Sequence, residues 1–99
     1  MKLKAVFIAY NQAHVEDVEK ILERAGVRGF TRWQEVQGAG SRGGEPHLGT
    51  HAWPAKNMST LAMIEDTKVD EFLAKLKELD ESTEMIGLRA FTWDIEQTI

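Results

Sequence analysis

The residues from position 38 to position 44 have the composition of an anion-binding loop. Four glycines and one arginine lie within these seven residues. They are Gly38, Gly40, Gly43 and Gly44, with Arg42 between them. Glycine tolerates positive φ angles and lets main-chain amides approach an anion closely. The spacing matches no strict phosphate motif, so the pattern predicts either an anion-binding nest or a flexible linker.

Potential metal ligands follow directly after these glycines. Glu45, His47 and His51 offer a carboxylate and two imidazoles, which suit zinc, copper or nickel. A structural zinc site takes four ligands, however, and a flexible loop loses conformational entropy when it gathers them. The sequence therefore leaves two interpretations, a divalent transition-metal site or solvated loop histidines.

The irregular stretch continues to a tryptophan that offers a binding anchor. Residues 35–57 exceed the length of about 12 to 15 residues beyond which loops of compact domains are usually functional or disordered. Trp53, followed by Pro54, marks the return of the loop, where it either contacts a partner or packs on its own subunit. We expect residues 39–54 to be mobile until a ligand or a partner orders them.

Catalytic chemistry finds little support in these residue types. Ser41, His47 and Asp66 can be drawn into a triad, but their spacing does not fix a nucleophile, a base and an oxyanion hole together. The chain has no cysteine, which excludes disulfides, thiolate metal sites and a cysteine nucleophile. We predict that the protein is not an enzyme and has no catalytic residues.

The hydrophobic periods predict the elements that must position this loop. The predicted strands cover residues 2–10, 29–37, 57–64 and 86–93, and the predicted helices cover residues 14–25 and 67–79. Gly26 has the place of a helix C-terminal glycine, and Thr67 with Asp70 resembles a capping box that would open the second helix. The order βαββαβ is that of the ferredoxin-like α+β fold, an antiparallel sheet with two helices on one face.

Both faces of the predicted strands are apolar. Leu3, Ala5 and Phe7 alternate along the first strand with the equally apolar Val6 and Ile8. A strand with one face in water would alternate more sharply. Since the helices cover only one face, the pattern predicts a closed homo-oligomer in which other copies of the chain cover the second face.

Length and charge limit the remaining classes. The 99 residues suit one domain, covering positions 1–99, and the net charge of −4 argues against nucleic acid as a partner. The longest apolar runs fall well short of the roughly 20 residues that span a bilayer. We expect a cytoplasmic protein that is not embedded in a membrane.

Three stretches carry a resemblance to a known family. In order and spacing, residues 2–80 resemble the PII signalling proteins through GFTRWQEVQGAG, SRGGEPHLGTHAWPAKN and STLAMIEDTKVDEFLAKL. In that family a second strand runs into a glycine-rich T-loop, here residues 38–57. The most specific part is the entry motif Glu35-Val36-Gln37-Gly38-Ala39-Gly40, which contains the glycine-x-glycine of the family.

The resemblance implies a function as well as a fold. PII-like proteins are homotrimers that bind effectors, often adenine nucleotides, in clefts between subunits, and their T-loops engage a transporter or an enzyme. On this basis the glycines of the loop, Arg42 and Arg89 would bind the effector. Arg89 is assigned by similarity to the basic residues that PII-like proteins place near phosphates. Trp53 would contact the partner, which includes the case of a membrane transporter.

The departures from the family pattern concern ligands and modification. Arg42 stands where classical members have a glutamine that helps bind magnesium and 2-oxoglutarate, and the only tyrosine, Tyr10, lies outside the loop that is uridylylated in those members. The phosphate-binding loop before the last strand is replaced by the acidic run 80–84, which would repel a triphosphate. The chain resembles a divergent PII-like protein with a different effector. Similarity to the trimeric CutA fold, with divalent-metal tolerance as the function, is the alternative.

Overall fold

The computed structural model describes residues 2–27, 29–39, 45–50 and 55–99. Its strands are β1 (Leu3–Asn11), β2 (Phe30–Val36), β3 (Asn57–Glu65) and β4 (Arg89–Asp94), and its helices are α1 (Val15–Arg24) and α2 (Asp66–Ser82). The strands form one antiparallel sheet in the order β2-β3-β1-β4. The predicted βαββαβ arrangement of the ferredoxin-like α+β fold is confirmed.

Helix α1 has the predicted C-terminal signal. A 3₁₀ turn, Gln12–His14, precedes the helix, so the regular helix begins one residue later than predicted. At its end, Gly26 adopts a φ of 74° and donates its main-chain N–H to the carbonyl of Glu23 at 3.0 Å. Val27 donates to the carbonyl of Leu22 at 3.0 Å, which completes a Schellman motif.

The predicted capping box of helix α2 is wrong. The helix begins at Asp66, so Thr67 already lies in the first turn, and the side chain of the capping residue Glu65 makes no capping hydrogen bond. Strand β3 runs directly into the helix, and the amide of Asp66 donates to the carbonyl of Lys2 at 3.0 Å. The capping acceptor of helix α2 is therefore a main-chain carbonyl beside the first strand, whereas the sequence predicts a side-chain cap.

Strand β4 begins three residues later than predicted. Met85 and Gly87 have φ angles of 65° and 55°, which interrupt an extended chain. Ile86 and Leu88 are buried next to them, so their apolar alternation reflects packing in the core and not strand pairing. The connection from α2 to β4 is consequently a shaped turn, and it forms one wall of the site described below.

The core lies between the helices and one face of the sheet. Val6, Ile8 and Tyr10 of β1 are fully buried there, with Phe72 and Leu76 of α2 packed against the same core. Burying these aromatic and aliphatic side chains contributes about 1.5 to 3 kcal/mol each. The apolar residues that the periodic pattern predicts on the helix side of the sheet are thus packed in the core.

A small polar cluster is embedded at the edge of this core. The hydroxyls of Tyr10 and Thr60 are hydrogen-bonded at 3.0 Å, and burial raises the pKa of Tyr10 although this hydrogen bond acts to lower it. Arg32 lies opposite Thr60 in the sheet, forms an ion pair with Glu19 of α1, and stands 4.8 Å above the ring of Phe30. The cluster ties the edge strand β2 to helix α1.

The opposite side of the sheet, which we call the open face, is apolar and uncovered. The register places Phe91, Phe7 and Leu61 in one row, and Trp93 and Met63 flank Ala5 in the next. The side chains of Phe91, Trp93 and Met63 are 59%, 49% and 45% exposed. The two-sided apolar pattern read from the sequence is therefore present. Neither α1 nor α2 is long and apolar enough to cross a membrane.

Candidate functional site

A cavity lies where the long loop returns to the sheet. Its volume is about 240 Å³, and helix α2, the turn that follows it, the start of β4 and the loop all contribute to its walls. The lining residues are Glu45, His47, Asp80, Thr83, Met85, Gly87 and Arg89. We call it the loop-base cavity.

The cationic group of this cavity is the guanidinium of Arg89. Its Nη1 atom donates to the main-chain carbonyl of Leu88 at 2.6 Å and lies 3.4 Å from Oδ2 of Asp80. About half of the Arg89 side chain is exposed. Both of these contacts, to residues within the described part of the chain, use Nη1 and not Nε or Nη2.

Asp80 holds the wall of the cavity as well as the arginine. Its Oδ1 atom accepts the main-chain N–H of Leu88 at 3.0 Å. Because Oδ2 faces Arg89, one carboxylate fixes both the start of β4 and the guanidinium. The contact orients the guanidinium of Arg89 toward Asp80.

The turn between α2 and β4 is fixed from the other side by Asn11. The side-chain amide of Asn11 donates to the carbonyl of Met85 at 3.0 Å, and its main-chain N–H donates to the carbonyl of Ile86 at 2.8 Å. Met85 lies in the left-handed region, which a non-glycine residue adopts only where its surroundings hold it. The end of β1 therefore shapes the floor of the cavity.

The loop enters and leaves through a paired base. Gly38 and His47 exchange two main-chain hydrogen bonds, of 2.8 Å and 2.6 Å. Above them, Leu48 and Lys56 form a second antiparallel bridge, and Nε2 of Gln37 donates to the carbonyl of Leu48 at 2.9 Å. We call this paired segment the loop base, and the mobility expected for residues 39–54 stays a prediction.

His47 belongs to the loop base and to the cavity at once. The residue is only 5% exposed, and its Nδ1 atom donates to Oδ1 of Asn57 at 2.6 Å. A Cβ on Gly38 would collide with the side-chain amide of Asn57. Gly38 is thus required by close approach, since its φ is not among the positive ones.

The predicted site residues are placed as follows. Arg89 from the effector set and Glu45 and His47 from the metal set converge in the loop-base cavity. Gly38 lies beneath them, and its amide is occupied by the carbonyl of His47, so its use as an anion donor stays a prediction that requires this bond to open. The remaining predicted residues, Gly40, Arg42, Gly43, Gly44, His51 and Trp53, lie outside the described residues.

The part of the chain that the structure describes contains no cluster of metal ligands that would support the metal hypothesis. There, no group of three or more histidine, cysteine, aspartate or glutamate side chains is close enough to hold an ion. His51 lies outside that part, so the three-residue set of Glu45, His47 and His51 stays a prediction.

Two residues of the site are not singled out by the sequence. Asp80 stands there only as part of an acidic run, and Asn57 only as the first residue of a strand. A signal for Asp80 exists, since a carboxylate in the last turn of a helix opposes the helix dipole and suggests a role other than helix stability. Asn57 carries no such signal, because its partner His47 is set by the register of the loop base.

A larger groove lies away from these residues. It has a volume of about 420 Å³ between α1 and α2 and is bordered by Arg24, Lys68 and Lys75. None of the predicted site residues that the structure describes line it. We place the candidate site at the smaller loop-base cavity because the polar contacts converge there.

Comparison with solved structures places the fold among PII-like proteins. A PII-like protein of Thiomonas intermedia K12, bound to ADP, AMP and bicarbonate, superposes with a TM-score of 0.70 at 22% identity, covering 100% of this chain and 98% of that one. A PII-like signalling protein of Thermus thermophilus superposes with a TM-score of 0.69 at 21% identity, covering 96% and 88%. A search of curated protein sequences found no match.

The sequence itself matches a family over nearly its whole length. The family described as Nitrogen regulatory protein P-II matches residues 3–99. This range includes every strand, both helices and the loop-base cavity. The PII resemblance read from the loop entry is confirmed, and the chain belongs to the nitrogen regulatory protein P-II family.

Proposed function

We propose that this protein is a PII-like regulator that binds a small anionic effector, with adenine nucleotides as the first class to test. The observation that carries the proposal is the convergence of Arg89 with the loop base in one cavity. An effector at Arg89 would contact the residues that hold the two ends of the loop, so its occupancy can change the loop. The protein acts by binding and not by catalysis.

Arg89 supplies the anion contact. A guanidinium offers a planar edge that can bind a phosphate or carboxylate with two parallel hydrogen bonds. Asp80 and the carbonyl of Leu88 engage Nη1 and leave Nε and Nη2. The ligands of the Thiomonas protein, ADP, AMP and bicarbonate, are anions of the kind that such an edge binds.

A trimer would complete the site. The cavity of about 240 Å³ is smaller than the roughly 300 to 1,000 Å³ of typical ligand pockets, so one chain encloses only part of a nucleotide. The open face, with Phe91 and Trp93 uncovered, needs a cover of the same apolar character. A homotrimer in which neighbouring subunits close both surfaces meets both needs.

The loop then carries the signal to a partner. Within residues 38–57, Gly38 pairs with His47 and Leu48 pairs with Lys56, just before the chain joins β3 at Asn57, and His47 lines the loop-base cavity. A ligand that binds one arrangement of this base more tightly shifts the population of loop conformations. We propose a transporter or an enzyme in the cytoplasm as the partner, with Trp53 as its contact.

Calorimetric titration with ATP, ADP, AMP and bicarbonate tests the proposal. We expect at least one of these ligands to bind, and Arg89→Gln to weaken that binding by about 1.5 to 3 kcal/mol, the cost of losing a charged hydrogen bond. Arg24→Gln is the matched control, because it makes the same change at the groove between the helices. Heat-silent titrations with all four ligands, or equal losses in both variants, would contradict the proposal.

A further inference from the structure

We infer that Asp80 restricts the loop-base cavity to effectors of low negative charge. The inference rests on the proposed function and concerns the class of ligand that the same site accepts. Asp80 competes with the ligand for Arg89, because its Oδ2 atom lies 3.4 Å from the guanidinium. An incoming anion therefore meets an arginine whose charge is already partly balanced.

The charged groups that line the cavity within the described residues leave no surplus of positive charge. Glu45 and Asp80 are acidic, and Arg89 is the one lysine or arginine among the described residues that line it. Among these described residues, two carboxylates face one guanidinium. Each further phosphate of a nucleotide adds negative charge and so adds repulsion, whereas a monophosphate or a small monoanion can still use the free edge of Arg89.

Helix α2 adds to this repulsion. The helix ends at Ser82, and its last turn has no basic residue to balance the negative end of the helix dipole. A carboxylate at this position is unfavourable for the helix itself. The N–H of Leu88 needs an acceptor there, and the neutral side-chain oxygen of an asparagine can supply one, although the carboxylate makes the stronger hydrogen bond. Asp80 therefore carries a charge that the end of the helix does not need, and this charge faces Arg89 and any ligand beside it.

The variant Asp80→Asn separates the effect of the charge at position 80 from the effect of its hydrogen bond to Leu88. Asparagine keeps an oxygen for the N–H of Leu88 and removes the charge that faces Arg89. At about 6 Å in a water-like dielectric, removing one unit charge changes binding by about threefold for each unit charge of the ligand. We expect the ratio of the ATP and AMP dissociation constants to shift by about tenfold in favour of ATP, measured by calorimetry at low salt.

Glu81→Gln is the matched control. It removes one charge from the adjacent, exposed residue of the same helix turn, which does not line the cavity. A shift of the ATP to AMP ratio as large as that of Asp80→Asn would overturn the inference, since the effect would then belong to the general charge of the helix end. An unchanged ratio in Asp80→Asn would overturn it as well, while the binding of either nucleotide would leave the proposed function standing.

A second measurement needs no variant. Salt screens electrostatic repulsion. The repulsion between the lining carboxylates and a ligand is larger for a highly charged ligand, so salt weakens it by a larger amount than it does for a weakly charged ligand. Raising the ionic strength should therefore improve the binding of ATP relative to AMP in the unaltered protein, and the opposite change would overturn the inference. If neither the unaltered protein nor Asp80→Asn binds any of the nucleotides or bicarbonate, the proposed function fails and this inference fails with it. Thermal unfolding of Asp80→Asn checks that the variant is folded.

Discussion

Gly38 and His47 close the base of the long loop with reciprocal main-chain hydrogen bonds of 2.8 Å and 2.6 Å. The imidazole of His47 is bonded to Asn57, whose amide lies against the face of Gly38 that has no side chain. These three residues bring the start of the loop, its middle and the first residue of β3 into one contact. This part of the loop is therefore anchored beside the loop-base cavity.

Replacing Gly38 tests whether this contact depends on close approach. In Gly38→Ala the new Cβ would displace the Asn57 side chain from His47. We expect a loss of about 1 to 3 kcal/mol of unfolding free energy in urea, because a buried polar pair is left without its partner. Gly29→Ala is the control, since a Cβ there meets no atom within 4 Å and its φ is not positive. Similar unfolding midpoints for the two variants would show that the loop base does not need a glycine.

A double-mutant cycle measures the side-chain contact itself. His47→Ala and Asn57→Ala each remove one partner of the 2.6 Å hydrogen bond. We expect a coupling free energy of about 0.5 to 1.5 kcal/mol between them. His14→Ala with Asn57→Ala is the control pair, because His14 is paired with Asp17 and not with Asn57. Additive losses in the first pair would mean that the hydrogen bond contributes no stability.

Much of the fold was predictable because its elements are periodic and locally signalled. The alternation of Val6 and Ile8 indicates a strand directly. Gly26 in the same way indicates the end of the helix. The start of β4 was misplaced, since Ile86 and Leu88 alternate like strand residues while they are buried by packing around a turn. The start of α2 was misplaced because its first amide bonds to Lys2, a residue far away in sequence.

The site was predictable only in its parts. The sequence predicts a role for Arg89 with an anion and for Glu45 and His47 with a metal, because nothing local in it shows that the three share a cavity. Their meeting depends on how helix α2 ends and on the pairing of the loop base. The contact between Asp80 and Arg89 spans nine residues and a turn with two positive φ angles, which no motif encodes.

Tyr10 should make the protein sensitive to alkaline pH. Burial raises its pKa above the ordinary value of 10.0, so the folded state keeps the proton after the unfolded state begins to lose it. The contribution of Tyr10 is therefore complete below about pH 10 and is lost as the pH rises from there toward the folded pKa, with a slope of up to about 1.4 kcal/mol per pH unit. Urea unfolding at about pH 9 and about pH 11 measures the loss.

The variant Tyr10→Phe supplies the comparison for that measurement. It should lose about 1 kcal/mol at neutral pH, because Thr60 loses its partner, and should show a smaller further loss at alkaline pH. The lysines titrate in both proteins, so their contribution cancels when the alkaline losses of the two proteins are compared. The tyrosinate absorbance of the unaltered protein reports Tyr10 alone, because the chain has one tyrosine. Equal alkaline losses in the two proteins would assign the sensitivity to other groups.

The open face should hold the subunits of a trimer together. Phe91 lies beside Phe7 in the sheet register and is the more exposed of the pair. In Phe91→Glu the subunit interface would lose apolar area worth about 25 cal/mol per Å² and would have to bury a charge. We expect sedimentation velocity at micromolar concentration to find a trimer for the unaltered protein and a monomer for this variant. Phe30→Glu is the control, because Phe30 is also exposed but lies on the helix side of the edge strand. Dissociation of both variants, or a monomeric unaltered protein, would contradict assembly through this face, and the effector cavity would then have to be complete within one chain.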